Sequence, residues 1–178
     1  MKKVKPLCIW FTGLSGAGKT TLGTNLKKKM HHLNYPFLIV DGDDIRKGIS
    51  KDLGFTILDR KENIRRAAEL SKIILQSGFN VICCFISPSK RMRQLAKSIV
   101  GTLHFVEVFV DAPVEVCIKR DPKGIYAKAL KGEIRHVSGI DSPYEPPFLA
   151  DIYINTVDSS INACTNKLVK EILSLIQQ

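Results

Sequence analysis

The sequence has no apolar run of the roughly 18–20 residues that a membrane-spanning helix needs, which excludes a helical integral membrane protein. It has no C-x-x-C and no Cys/His pair at metal-ligand spacing, although it contains Cys8, Cys83, Cys84, Cys117 and Cys164. An odd number of thiols, most of them inside apolar runs such as residues 81–85, argues against a disulfide framework and a structural zinc site. Such thiols fit small buried hydrophobes in a reducing compartment. Aromatic residues are scarce at 7% and are not interleaved with basic ones, so a stacking platform for nucleic acid is not expected. No internal repeat, low-complexity tract or linker interrupts the chain. The start, Met1-Lys2-Lys3-Val4-Lys5-Pro6, is basic, but the apolar stretch behind it runs straight into Gly13 and Lys19. No cleavage region follows, and a cytoplasmic protein with no membrane contact is expected.

What is present is an ordinary globular composition, 44% hydrophobic and 25% charged over 178 residues, which implies one domain spanning 1–178 with a real core. Lys+Arg number 27 against 17 Asp+Glu, a net charge of +10. That excess fits nucleic acid, an acidic membrane surface or a small polyanionic substrate, and composition does not choose among them.

Strand-like and helix-like segments alternate throughout. Residues 7–11 and 37–40 are short continuous apolar runs, as strands buried on both faces should be. Further strands are expected at 80–86, 104–110 and 151–157. Helical spacing marks 20–33, 60–77, 88–100 and 161–176. Repeated β-then-α units predict an α/β fold, a parallel sheet with helices on both faces. Residues 121–150 break the pattern, with few apolar side chains, four of the eight prolines, and Gly124, Gly132 and Gly139. A loop-rich stretch of that length in a small domain signals function.

Gly13-Leu14-Ser15-Gly16-Ala17-Gly18-Lys19-Thr20 fits G-x-x-x-x-G-K-S/T and lies between a predicted strand and a predicted helix, the context a P-loop requires. Glycines let backbone N–H groups wrap a β-phosphate at a helix N-terminus. Lys19 then reaches the β- and γ-phosphates, and the Thr20 hydroxyl ligates Mg²⁺. Asp41-Gly42-Asp43-Asp44 closes the second strand at the sheet edge where open α/β folds bind ligands. A carboxylate there holds Mg²⁺ or takes the proton of an attacking hydroxyl, or else caps the next helix. No acidic residue follows the third strand, where Ser87 stands instead, and this shifts weight onto Asp43. Arg46, Arg60, Asn63, Arg65, Arg66, Ser87, Lys90, Arg91 and Arg93 cluster in the sequence around the same edge, and Arg suits bidentate capture of phosphate or sulfate. Arg60 and Asn63, three apart on one helix face, are the best placed of them. A guanine-reading N-K-x-D is missing, since Asn166-Lys167 continues as Leu168-Val169, so a switch-type GTPase is not supported.

Taken together, Gly13 to Thr21, Asp41-Gly42-Asp43-Asp44-Ile45-Arg46, Asp52-Leu53-Gly54-Phe55, Asp59-Arg60-Lys61-Glu62-Asn63-Ile64-Arg65-Arg66, Ser87-Pro88, Val110-Asp111-Ala112-Pro113, Arg120-Asp121-Pro122-Lys123-Gly124-Ile125-Tyr126 and Gly139-Ile140-Asp141-Ser142-Pro143-Tyr144-Glu145 resemble the adenylylsulfate kinases over nearly the whole chain. The resemblance implies a three-layer P-loop NTPase fold with a five-stranded parallel sheet and a lid at about 121–150. It implies a homodimer in sulfate assimilation that moves the γ-phosphate of ATP to the ribose 3′-hydroxyl of adenylylsulfate. Carried over, Gly13, Ser15, Gly16, Ala17, Gly18, Lys19, Thr20 and Thr21 would hold ATP, with Arg120 and Cys164 near its adenine. Thr20 and Asp43 would serve Mg²⁺, and Asp43 and Lys19 would be catalytic. Asp43, Arg46, Arg60 and Asn63 would grip the sulfonucleotide, Phe55 would stack on its base, Ile86, Ser87 and Val137 would line its site, and Lys123 would reach in from the lid.

Three departures concern the acceptor. Asp44 stands where the family has Asn, Val137-Ser138 where it has Phe-Thr, and Ser89-Lys90 where it has an aromatic and Arg. The Phe would form half of an aromatic sandwich with Phe55, and its loss removes a stacking contact worth roughly 1–3 kcal/mol. The alternative acceptor is another nucleotide, as in the similar cytidine diphosphoramidate kinases of capsule synthesis.

Overall fold

A computed structural model describes residues 5–177; the basic start at residues 1–4 and Gln178 lie outside it. The chain runs β1 (Cys8–Thr12), α1 (Lys19–His32), β2 (Phe37–Asp41), α2 (Gly42–Lys47), α3 (Ile57–Gln76), β3 (Asn80–Cys84), α4 (Lys90–Val100), β4 (Phe105–Asp111), α5 (Val114–Arg120), α6 (Ile125–Leu130), β5 (Ile152–Asn155) and α7 (Ile161–Ile176). The five strands form one parallel sheet in the order β2-β3-β1-β4-β5. The three-layer α/β expectation therefore holds.

The continuous apolar runs are explained by what lies on each face. Along β1, Ile9 and Phe11 join Leu22 and Leu26 of α1 and Leu168 and Ile172 of α7 in one core cluster. Cys8 and Trp10 join Ile64 and Ala67 of α3 and Met92 and Ala96 of α4 in the other. Period-two alternation thus feeds two cores, and no position on the strand can be polar without cost. All five cysteines are free and buried, as expected of small hydrophobes. At Gly23 a side chain would meet Cys84 Sγ at 2.9 Å, so α1 packs closer to the sheet than any larger residue allows.

Local signals moved several boundaries. The third helix starts at Ile57 rather than residue 60, because Thr56 accepts from the Asp59 N–H while the Asp59 carboxylate accepts from Thr56, a reciprocal cap. The third strand stops at Cys84, two residues short of expectation, because the backbone turns left-handed at Ser87 (φ 45°). Helices α5 and α6 were not anticipated; at seven and six residues they are too short to display a period. The second of them lies inside the 121–150 segment. That segment is not mere surface loop, since Tyr126 and Val137 are buried in the core cluster beneath it.

Candidate active site

Parallel strands deliver their C-terminal ends to one edge, and at that edge a cleft of about 740 Å³ opens. Its walls come from the β1–α1 loop, the end of β2 with α2, the start of α3, the β3–α4 loop and the 121–150 segment.

The β1–α1 loop is shaped by close approach. Gly13 has φ 153°, and a Cβ there would sit 2.4 Å from the Val110 carbonyl oxygen, so the loop lies directly on β4. The Ala17 N–H closes a turn onto the Leu14 carbonyl at 3.2 Å. The N–H groups of Gly16 and Gly18 find no acceptor among the described residues. Free N–H groups around a helix N-terminus form an anion-binding cradle. Lys19 Nζ donates to the Gly13 and Leu14 carbonyls at 2.9 and 2.7 Å, which curls the ammonium over that cradle. Burial lowers its pKa from 10.5 to about 8.

The Thr20 hydroxyl donates to Asp41 Oδ2 at 2.8 Å, while Asp41 Oδ1 accepts from the Asp43 N–H at 2.9 Å and so caps α2. Asp41, not Asp43, is the carboxylate beside Thr20; no signal separated the two aspartates in the sequence beyond the strand's last position. Asp43 faces the cleft and pairs with Lys123 across it. These hard oxygen donors suit Mg²⁺, which is bound through one or two carboxylates with substrate phosphates and water. Among the described residues no cluster of three or more His, Cys, Asp or Glu is poised around a metal.

The opposite half is built on two arginines. Arg60, 8% exposed, donates from Nε to the Phe55 carbonyl at 3.0 Å and from Nη2 to the His136 carbonyl. Its guanidinium carbon lies 5.6 Å from the Phe55 ring centroid, and that of Arg46 lies 4.4 Å away. Phe55, half-exposed, thus carries cations on its ring rather than a second aromatic. Burial lowers the Arg60 pKa to about 10, with the Arg46 charge adding to the effect. Asn63 is buried with its Oδ1 unpartnered, and Ser138 is buried with an unpartnered hydroxyl; both line the cleft. Two orphaned polar atoms in one wall mark a surface completed by a polar ligand.

Most of the residues expected at the site converge on it. Ser15, Gly16, Ala17, Gly18, Lys19, Thr20, Thr21, Asp43, Arg46, Phe55, Arg60, Asn63, Ile86, Ser87, Arg120, Lys123, Val137 and Cys164 all line the cleft. Gly13 lies behind it. Arg120 is held by the Thr156 carbonyl at 2.7 Å, and Thr156, which sequence reasoning did not single out, also donates to the Ala17 carbonyl. Tyr126 was missed as well; its hydroxyl donates to the Ser15 carbonyl at 2.9 Å.

The basic cluster divides. Arg65 and Arg66 pair on the surface with Glu62, and Arg66 also with Asp52. Lys90 is outside the lining, and Arg93 is buried against Glu107. None of these four lines the cleft. Asp44 likewise points away and pairs with Lys47 at 3.0 Å in solvent, so its extra charge does not enter the acceptor half.

A P-loop cradle, a threonine–aspartate pair beside it and a second, arginine-rich half define a P-loop protein built to bring two anionic ligands together. The chain belongs to the adenylylsulphate kinase family, whose model matches residues 5–155. It is 46% identical over 170 residues to an adenylyl-sulfate kinase of Bacteroides thetaiotaomicron, covering 96% of this chain and 85% of that one. It is 41% identical over 170 residues to the bifunctional enzyme NodQ of Azospirillum brasilense, of which it spans 27%. The APS kinase CysC of Mycobacterium tuberculosis, solved in complex with AMPPNP and APS, superposes with a TM-score of 0.89 at 38% identity, over 98% of this chain and 99% of that one. No helix among the described residues is long and apolar enough to cross a membrane.

Proposed function

We propose that the protein transfers the γ-phosphate of ATP to the ribose 3′-hydroxyl of adenylylsulfate, giving 3′-phosphoadenylylsulfate, with Mg²⁺ as the metal. The observation that carries this is the two-part cleft: an N–H cradle with Lys19 and Thr20 on one side, and Arg46, Arg60, Phe55 and Asn63 on the other. The similarity to a structure holding AMPPNP and APS together supports it.

In this mechanism the N–H groups of the P-loop and the Lys19 ammonium neutralise the triphosphate and the charge that grows on the moving phosphoryl group. Thr20, oriented by Asp41, and Asp43 would hold Mg²⁺, which would offset the negative charge of the triphosphate. Arg46 and Arg60 clamp the acceptor's phosphosulfate, and Asn63 and Ser138 satisfy its polar edge. Asp43 takes the 3′-hydroxyl proton as that oxygen attacks in line. Lys123 and the 121–150 segment exclude water, which would otherwise compete as acceptor. Arg120 and Cys164 border the ATP adenine. A homodimer is part of this reading, and light scattering showing a monomer would remove it.

An ATP-consumption assay with adenylylsulfate, cytidine diphosphoramidate and plain nucleotides is the direct test. Adenylylsulfate should turn over best; a preference for the cytidine compound would overturn the acceptor assignment. Specific to that alternative is Val137, a buried aliphatic residue in a wall whose one exposed phenyl ring is Phe55. Replacing Val137 with Phe should restore a second stacking surface and lower KM for adenylylsulfate about five- to tenfold, a part of the roughly 1–3 kcal/mol such stacking supplies. No gain would indicate a pocket shaped for another base.

Lys19 also makes ATP binding pH-dependent. Its pKa of about 8 in the open cleft rises once phosphate oxygens surround it. At pH 6.5 the amine is protonated before and after binding, and no proton moves. Near pH 8, binding should draw in about half a proton, rising toward one at higher pH while affinity falls. Calorimetry in two buffers of different ionisation enthalpy reads this directly, and zero uptake at pH 8 would place Lys19 away from the phosphates.

A further inference from the structure

Among the described residues three non-glycine positions have left-handed backbone: Asn34, Ser87 and His136. Two of them, Ser87 and His136, line the cleft. A left-handed non-glycine residue costs about 1–3 kcal/mol and persists where its surroundings over-determine it. The surroundings here are specific. The carbonyl of each residue accepts from a buried arginine, His136 from Arg60 and Ser87 from Arg93.

The Ser87 cradle draws on three side chains from two elements, β1 and α4. The Trp10 indole N–H donates to Ser87 Oγ at 2.9 Å from β1. The Thr12 hydroxyl, at the end of the same strand, donates to the Ile86 carbonyl at 2.7 Å. From α4, Arg93 Nη1 donates to the Ser87 carbonyl at 3.1 Å and to the Glu145 carbonyl at 2.8 Å. Arg93 is 5% exposed, and its Nε lies 2.8 Å from Glu107 Oε1 on β4, so its charge is paired largely out of solvent. Glu145 is fixed to the same loop twice more. Its N–H donates to the Pro88 carbonyl at 2.7 Å, and its carboxylate accepts from the Lys90 N–H at 2.8 Å. One guanidinium therefore bridges the strained cleft residue at the end of β3 and the chain just before the end of the 121–150 segment.

We infer that Arg93 is a positioning residue for the acceptor half of the cleft: it holds the Ile86–Ser87 backbone in its left-handed turn and ties that turn to Glu145. It stands outside the cleft lining. Its effect on acceptor binding rests on the proposed transfer to adenylylsulfate, whereas its effect on Ser87 does not. A lysine at position 93 keeps the charge but has one nitrogen, which cannot pair with Glu107 and reach both carbonyls as Nε and Nη1 of the planar fork do together.

Two readouts separate this from a general loss of stability. The chain has a single tryptophan, so one indole N–H resonance reports the Trp10–Ser87 hydrogen bond in the ligand-free protein. In Arg93→Lys that resonance should move upfield as the bond lengthens. In steady-state assays the same variant should raise KM for adenylylsulfate about tenfold, the loss of one charge-assisted hydrogen bond, and leave KM for ATP within about twofold. Glycine adopts positive φ without strain, so in a Ser87→Gly background the Arg93→Lys effect on acceptor KM should shrink to within about threefold. Should Arg93→Lys fail to fold, Thr12→Val removes only a hydroxyl from the same cradle and should produce the same KM split. An unmoved indole resonance, an equal rise in both KM values, or an Arg93→Lys effect unchanged by Ser87→Gly would overturn the proposal. If the wild type does not phosphorylate adenylylsulfate, the proposed function fails while the indole shift still decides whether Arg93 holds Ser87.

Discussion

Replacing Lys19 with Ala should lower phosphoryl transfer by at least about 10³-fold while leaving the folded protein intact, measured by coupled assay and thermal melting. The size follows from where the ammonium sits. Removing one preorganised donor from a developing charge costs on the order of 10²–10³ in rate, and Lys19 supplies a full charge rather than a dipole. In the cleft without nucleotide that charge is a burden. Its two hydrogen bonds go to the Gly13 and Leu14 carbonyls, and burial pulls its pKa down to about 8. An alanine removes a desolvated ammonium, so the melting temperature should hold or rise. Function lost with stability kept is the signature of a residue held in strain for its ligand. Transfer within tenfold of wild type would mean another cation does this work, and Lys123 is the one positioned to try.

The two halves of the cleft differed in how far the sequence disclosed them, for a physical reason. The P-loop is local: eight consecutive residues between a strand and a helix create the cradle, so spacing alone identified Gly16, Gly18, Lys19 and Thr20. The sheet was also legible, since each strand is an apolar run and each long helix shows a stripe. The acceptor half is assembled from distant segments, and type alone misleads there. Helix spacing and the resemblance favour Arg60 over Arg93 in the sequence, but their fates show only in the structure: Arg60 reaches into the cleft beside Phe55, and Arg93 is consumed by Glu107 and two carbonyls. Asp41 and Asp43 differ by two positions. One ends a strand and turns to Thr20, while the other starts a helix and turns to Lys123. Strand geometry decides between them, and composition contains no trace of it. Tyr126 was obscured by its setting, a six-residue helix in a stretch rich in glycine and proline, although its hydroxyl fastens that helix to the P-loop.

The division of labour between those aspartates yields the second large effect. Asp43→Ala should cut turnover about 10²–10⁴-fold, the range for removing a positioned general base, with nucleotide affinity little changed. Asp43 makes no contact with the P-loop: its carboxylate faces the cleft and meets only Lys123, and both groups are about half exposed. A pair that open to solvent is worth about 0–1 kcal/mol, so an incoming acceptor hydroxyl and phosphosulfate can part it at little cost. Its parting does two things at once, freeing a carboxylate to receive the proton and a lysine to meet the anion. Asp41→Ala should behave differently. It strips Thr20 of its partner and α2 of its cap, so it should weaken Mg²⁺-dependent nucleotide binding and lower the melting temperature together, the cap alone being worth about 1 kcal/mol. Single-turnover rates beside calorimetric nucleotide affinities separate the two. Near-normal turnover in Asp43→Ala would return the proton to Asp41 or to solvent, and a matching loss of nucleotide affinity in both variants would mean that Asp43 acts mainly by holding Mg²⁺ beside Thr20 rather than as the base.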